Sequence, residues 1–178
     1  MGKLKDNQSK YIALLLRHKP EVGGLTLDEH GWCNTEALVK AVEKEFGKFT
    51  LEDLKEIVRT DNKQRYVFNE EGNKIRANQG HSIQVDVELK EVVPQDILFH
   101  GTATRFVEVI RMQGLKPMSR LYVHLSKDYK TAFSVGKRHG SPFVFEVDAK
   151  QMVKDGFKFY ESENGVILTK VVPSKYLK

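Results

Sequence analysis

A Val92-Val93-Pro94 step divides the 178-residue chain into halves that differ in pattern and in charge. Before it, apolar residues recur at helical spacing and the charges nearly cancel, with 15 Lys and Arg against 16 Asp and Glu in residues 1–93. After it, short apolar runs bounded by Gly, Pro and Ser read as strands between short helices. Residues 94–178 hold 14 basic against 8 acidic side chains. Proline disfavours helix for the residue before it and removes a ladder donor, so neither pattern runs through the step. The expectation is two small domains, 1–93 and 94–178. The positive second half favours a polyanionic ligand, although net charge governs steering rather than a particular reaction.

Cysteine and histidine usage excludes several classes. The single cysteine, Cys33, permits neither an internal disulfide nor a cysteine-cluster metal site, and beside Trp32 it reads as a small buried residue. The six histidines show no close pair at metal-ligand spacing, so no metal is expected. The N-terminus enters a polar helix pattern directly, without a signal peptide, and no apolar run is long enough to span a membrane. A cytoplasmic, monomeric protein is expected.

The first half predicts three helices and a hairpin. Tyr11, Leu14 and Leu15 share one face of a first helix that must stop near His18-Lys19-Pro20. Thr35 is expected to cap a second helix carrying Ala37, Leu38, Ala41 and Val42. Thr50 is expected to cap a third with Leu51, Leu54, Ile57 and Val58, and Asp53 stands at capping-box spacing. Tyr66-Val67-Phe68 and Lys74-Ile75-Arg76-Ala77 flank Glu70-Glu71-Gly72 as a hairpin. This is a winged-helix-like arrangement, yet Glu52, Asp53 and Glu56 on the third helix would repel DNA phosphates. What remains is three basic points in polar company: Arg17-His18 at a helix C-terminus, Lys63-Gln64-Arg65 at the hairpin entry, and the run Arg76-Ala77-Asn78-Gln79-Gly80-His81-Ser82 at its exit.

In the second half, Ile97-Leu98-Phe99 predicts a strand stopping at His100-Gly101. Gly101 would admit close approach, and Thr102 would cap the helix of Phe106, Val107, Val109 and Ile110. Tyr122-Val123-His124-Leu125-Ser126 predicts a strand with His124 opposite in face to Val123. Ser126 would cap a helix of Tyr129, Ala132 and Phe133. Val135-Gly136-Lys137-Arg138-His139-Gly140 reads as a glycine-bracketed basic loop suited to phosphate or ribose. Further strands are expected at Phe143–Val147, Phe157–Tyr160 and, after an Asn164-Gly165 turn, at Val166–Thr169. Without a GxGxxG or a P-loop, the half is α+β and not a Rossmann domain.

Leu98-Phe99-His100-Gly101-Thr102, Val123-His124-Leu125-Ser126 and Val135-Gly136-Lys137-Arg138-His139-Gly140 resemble the ADP-ribosyltransferase half of the NAD-dependent RNA 2′-phosphotransferases, known from tRNA splicing. Leu16-Arg17-His18, Lys63-Gln64-Arg65-Tyr66 and Ile75-Arg76-Ala77-Asn78-Gln79-Gly80-His81-Ser82 match the same family in order. Two positions depart from its pattern. Tyr122 stands where a histidine is usual, and Ile167 where a tryptophan is common.

The resemblance implies an α+β fold: a winged-helix-like RNA lobe, an ADP-ribosyltransferase-like NAD lobe, and an active site in the cleft between them. It implies that NAD+ is consumed in removing an internal 2′-phosphate from a tRNA-like RNA, leaving a 2′-hydroxyl, nicotinamide and ADP-ribose 1″,2″-cyclic phosphate. Arg17, His18, Arg65 and Arg120 would form the catalytic group, with His18 protonating the departing RNA 2′-oxygen. His100, Gly101, Thr102, His124, Ser126 and Arg138 would hold NAD+, and Arg76, Gln79 and His81 would contact RNA. Protein-modifying ADP-ribosyltransferases usually carry a glutamate where this chain has Val166. An anionic phosphate acceptor needs no such base, and a carboxylate would repel it.

Two alternatives stay open. One is an ADP-ribosyltransferase that stops at transfer to a nucleic-acid phosphate end or another acceptor, which would have less need of all four catalytic residues. The other is a non-catalytic winged-helix binder, marked by failure to bind NAD+.

Overall fold

In the computed structural model, which describes residues 2–178, helix α1 (Gly2–Arg17) ends where Pro20 requires. A 3₁₀ turn, Pro20–Gly23, follows with the proline at its first position. Ile12, Leu15 and Leu16 are fully buried and Tyr11 packs edge-on to Phe46 at 5.6 Å. The core stripe therefore lies one residue away from the Tyr11-Leu14-Leu15 face, with Ile12 in place of Leu14.

Strand β1 (Cys33–Asn34) leads into α2 (Thr35–Phe46). The cap is Asn34, whose side chain accepts from the Ala37 N–H at 2.9 Å. Thr35, the expected cap, is instead the first helical residue, and its hydroxyl donates to the Gly72 carbonyl at 3.1 Å. Helix α3 (Leu51–Thr60) has the predicted capping box, with Thr50 and Asp53 serving each other's backbone N–H. Its exposed surface carries Glu52 and Glu56, paired to Lys55 and Arg59 one turn on. The predicted hairpin is β2 (Tyr66–Phe68) and β3 (Lys74–Ala77), and β1 adds to its other edge in the antiparallel order β1-β3-β2. Leu38, Val42, Leu54, Ile57, Tyr66 and Ile75 close one core with α1. Burying each large apolar side chain is worth roughly 1.5–3 kcal/mol. Cys33 lies in this core, where burial pushes its thiol up to about 11.

The chain divides into two compact units, Met1–Glu88 and Leu89–Lys178. The division precedes the Val92-Val93-Pro94 step because β4 (Lys90–Val92) pairs within the second unit. There follow β5 (Ile97–Ala103), a 3₁₀ turn at Thr104–Phe106, α4 (Val107–Gln113), β6 (Val123–Leu125) and α5 (Tyr129–Lys137). Then come β7 (Pro142–Asp148), α6 (Ala149–Lys154), β8 (Phe159–Glu161) and β9 (Ile167–Thr169). The strands form antiparallel sheets ordered β4-β8-β9-β6 and β5-β7, around a second core of Leu98, Leu125, Val147, Met152, Phe159 and Ile167. The fold is α+β. Among the described residues no helix is long and apolar enough to cross a membrane.

Further local expectations are corrected in the second unit. Strand β5 does not stop at His100-Gly101, and Thr102 caps nothing: all seven residues pair with β7, Gly101 opposite Val144 and Thr102 opposite Phe143. Ser126 does not cap α5; its backbone bridges to Phe99, and Asp128 caps by accepting from the Thr131 N–H at 2.7 Å. Val135, Gly136 and Lys137 are the last turn of α5 rather than loop, so only Arg138, His139 and Gly140 lie beyond the helix.

Candidate functional site

In the first unit the polar run after β3 laces the basic points together. Asn78 donates its backbone N–H to the Arg65 carbonyl at 2.8 Å and its side-chain amide to the Gln64 carbonyl at 2.7 Å. Four residues on, the Ser82 N–H donates to the Arg17 carbonyl at 3.0 Å, and its hydroxyl lies 2.8 Å from His18 Nδ1. Four residues of chain reach at most roughly 14 Å, so Arg17, His18 and Arg65 belong to one neighbourhood. The fields of Arg17 and Arg65 both reach the Tyr66 hydroxyl, which burial raises above its usual pKa. That hydroxyl donates to the Ser9 carbonyl and ties β2 to α1. Between the two anchor points Gln79 and His81 are buried, and the Gln79 side-chain oxygen has no hydrogen-bond partner.

Arg17 is not a solvated surface group, since only 8% of it is exposed. Arg65 is held by Asp61, a nearly buried carboxylate that accepts from the Arg65 side chain at 2.7 Å and from its backbone N–H at 2.8 Å. Arg76 is engaged elsewhere. Its guanidinium stacks 4.3 Å over the Trp32 ring and donates to the His30 carbonyl and to Glu88 at 3.2–3.3 Å. Its buried Nε has no partner.

In the second unit, β5 and the start of α5 build the other group. A Cβ on Gly101 would stand 1.6 Å from the Ala132 carbonyl oxygen. The close approach that this glycine permits is therefore by the α5 backbone, with Gly136 meeting Thr102 in the same way. Side chains alternate along a strand, so His100 and Thr102 face away from α5. Phe99 exchanges backbone bonds with Ser126 at 2.9 and 2.7 Å, which turns the Gly101 N–H and C=O to that same strand edge. His100 Nδ1 lies 3.0 Å from the His124 carbonyl. A carbonyl only accepts, so Nδ1 carries the proton and Nε2 is the ring's acceptor when neutral. Burial lowers the His100 pKa, opposed by that hydrogen bond and assisted by His139, which favours the neutral ring. Arg120 approaches His124 Nδ1 at 3.5 Å, a long contact.

His100, His124, Ser126 and Arg120 are thus brought together. Arg138 is exposed at the far end of α5, roughly 13 Å along the axis from its start. Of the two departures, Ile167 is a core residue paired with Leu125, whereas the Tyr122 ring packs on Tyr160 at 5.9 Å. Val166 closes the β8–β9 turn by accepting from the Ser162 N–H and donating its own N–H to the Ser162 hydroxyl.

A family model described as RNA 2′-phosphotransferase, Tpt1 / KptA family, matches residues 3–171. The chain belongs to this family. A relative from Fusobacterium nucleatum named "Probable RNA 2′-phosphotransferase" is 51% identical over 170 residues, covering 95% of each chain. Relatives of the same name from Streptomyces coelicolor and Flavobacterium johnsoniae are 49% and 48% identical, covering 96% of this chain and 92% and 93% of theirs.

For two residues of this Tpt1/KptA-family chain, the part they play escaped the sequence reading. Asp61 was visible in principle, since an acid four residues before an arginine marks a local pair. Ser82 was named there only as the end of a polar run, and its pairing was not visible, because its partner His18 lies 64 residues away.

Proposed function

We propose that this protein is an NAD+-dependent RNA 2′-phosphotransferase acting in two steps, as a cytoplasmic monomer. In the first step a 2′-phosphate oxygen of the RNA attacks the anomeric carbon of the nicotinamide ribose, the glycosidic C–N bond breaks, and nicotinamide leaves. In the second the ADP-ribose 2″-hydroxyl gives up its proton as its oxygen bonds to phosphorus, the P–O2′ bond breaks, and the RNA 2′-oxygen takes a proton, so no net proton is gained or lost. The products are 2′-hydroxyl RNA and ADP-ribose 1″,2″-cyclic phosphate.

The observation that carries this reading is the lacing of Arg65 to Arg17 and His18 by residues 78–82. Planar guanidinium forks suit the equatorial oxygens of a phosphate as its charge builds, and each such contact is worth roughly a hundredfold in rate. Arg120, in the second unit, is the fourth member of the catalytic group that the family resemblance implies. His18 is the proton donor to the leaving 2′-oxygen. Buried Gln79, with its unpartnered oxygen, and His81 serve the RNA. Arg76 supports them through its stack on Trp32.

On the NAD+ side, the Gly101 backbone and Thr102 hold the nicotinamide amide and ribose, with His124 and Ser126 alongside. Neutral His100 accepts from a ribose hydroxyl through Nε2. Arg138 meets the adenylate or pyrophosphate end. Val166 leaves the acceptor position without a carboxylate, as an anionic acceptor requires.

The test is the protein with NAD+ and an RNA bearing one internal 2′-phosphate, alongside His18→Ala. Wild type should yield 2′-hydroxyl RNA and the cyclic phosphate, while His18→Ala should accumulate ADP-ribosylated RNA. A variant that completes both steps at the wild-type rate would refute the role given to His18.

A further inference from the structure

We infer that Ser82 is a positioning residue for His18: it keeps a proton on Nδ1, so that proton transfer at this histidine runs through Nε2. Its catalytic meaning rests on the reaction proposed above, whereas its geometry does not.

Ser82 makes two contacts at the end of α1. Its N–H takes the Arg17 carbonyl at 3.0 Å, a helix-terminal carbonyl of the kind that lacks an intrahelical donor. Its Oγ lies 2.8 Å from His18 Nδ1. The serine follows directly on buried His81 in the segment that Asn78 pins to Arg65. The hydroxyl is therefore placed by backbone anchors at Asn78 and at Ser82 itself rather than by its own rotamer alone.

A serine oxygen can donate or accept, and the proposed proton transfer decides which. A histidine that delivers a proton starts as imidazolium, with N–H on both nitrogens, so Nδ1 donates and Ser82 Oγ accepts. When the RNA 2′-oxygen takes the Nε2 proton, the neutral ring left behind is the Nδ1–H tautomer, with the Ser82 bond unchanged. The opposite tautomer would require the serine to turn its own proton onto Nδ1, with Nε2 still protonated. The hydrogen bond made by one ring nitrogen thus sets what the other can do.

Long-range proton–nitrogen NMR on protein labelled in its histidine rings, at a pH where His18 is neutral, reads the tautomer without any substrate. Wild type should show Nδ1–H. Ser82→Ala should move His18 toward the Nε2–H form that free histidine favours in water, and Ser82→Thr, which keeps the hydroxyl, should restore it. In single-turnover reactions Ser82→Ala should slow the second step about tenfold while leaving the first unchanged, so that ADP-ribosylated RNA transiently builds up. Threonine should again restore the rate. An Nε2–H ring in wild type, or a tautomer indifferent to Ser82→Ala, overturns the inference. A wild-type protein that leaves the 2′-phosphate in place overturns the reaction and not the tautomer.

Discussion

Asp61 shows how a carboxylate can serve a site proposed to take an anion. It would repel a phosphate in the open, but here it is nearly buried and its charge is spent on Arg65, fixing one edge of the guanidinium and the backbone behind it. Asp61→Asn keeps an acceptor for the backbone N–H and loses the ion pair, so the single-turnover rate should fall about tenfold with a small drop in melting temperature. Arg65→Lys should cost more, about a hundredfold, because an ammonium replaces the fork and cannot grip two phosphate oxygens. Equal rates for the two variants would contradict this ranking. His100 adds a pH dependence. Its folded pKa lies below its usual 6.5 because burial disfavours the charged ring. The stabilisation from keeping it neutral is complete above pH 6.5 and is lost as pH falls through the lowered value. Melting curves should show wild type losing more stability than His100→Gln on acidification below 6.5. Parallel curves would contradict it.

At the scale of elements, Gly101 is a packing residue, whatever its part in the proposed NAD+ site. Gly101→Ala drives a methyl into the Ala132 carbonyl and should cost about 3 kcal/mol. Gly72, in the left-handed region at φ 75° with open space around it, should cost only about 1 kcal/mol when changed to Ala. Melting temperatures of the two variants test the difference, at roughly 2–4 °C per kcal/mol for a chain of this size. These glycines also show what the sequence made legible. The end of α1 before Pro20, the Thr50–Asp53 box and the β2–β3 hairpin were readable, because each rests on residues within a few positions of one another. The run of β5 through Gly101 was not, since its partner β7 begins some forty residues later and only that ladder carries the strand past the glycine. Thr35 lost the cap to Asn34 because its hydroxyl is taken by Gly72, again a distant partner. At the site, the basic residues were legible as types, whereas the groups that hold them, Ser82 above all, depended on tertiary contacts.

At the scale of the whole molecule, each unit has its own core and holds part of the proposed catalytic group. Arg17, His18 and Arg65 sit in the first unit, and Arg120 with the proposed NAD+ residues sits in the second. Calorimetry on the separate pieces should find NAD+ binding in Leu89–Lys178 and none in Met1–Glu88, with neither piece alone processing RNA. The most direct measurement follows a radiolabelled internal 2′-phosphate through a single turnover with NAD+. The account predicts that the label leaves the RNA and appears in ADP-ribose 1″,2″-cyclic phosphate, one per nicotinamide released. Label released as inorganic phosphate, or retained on RNA while NAD+ is untouched, would contradict it.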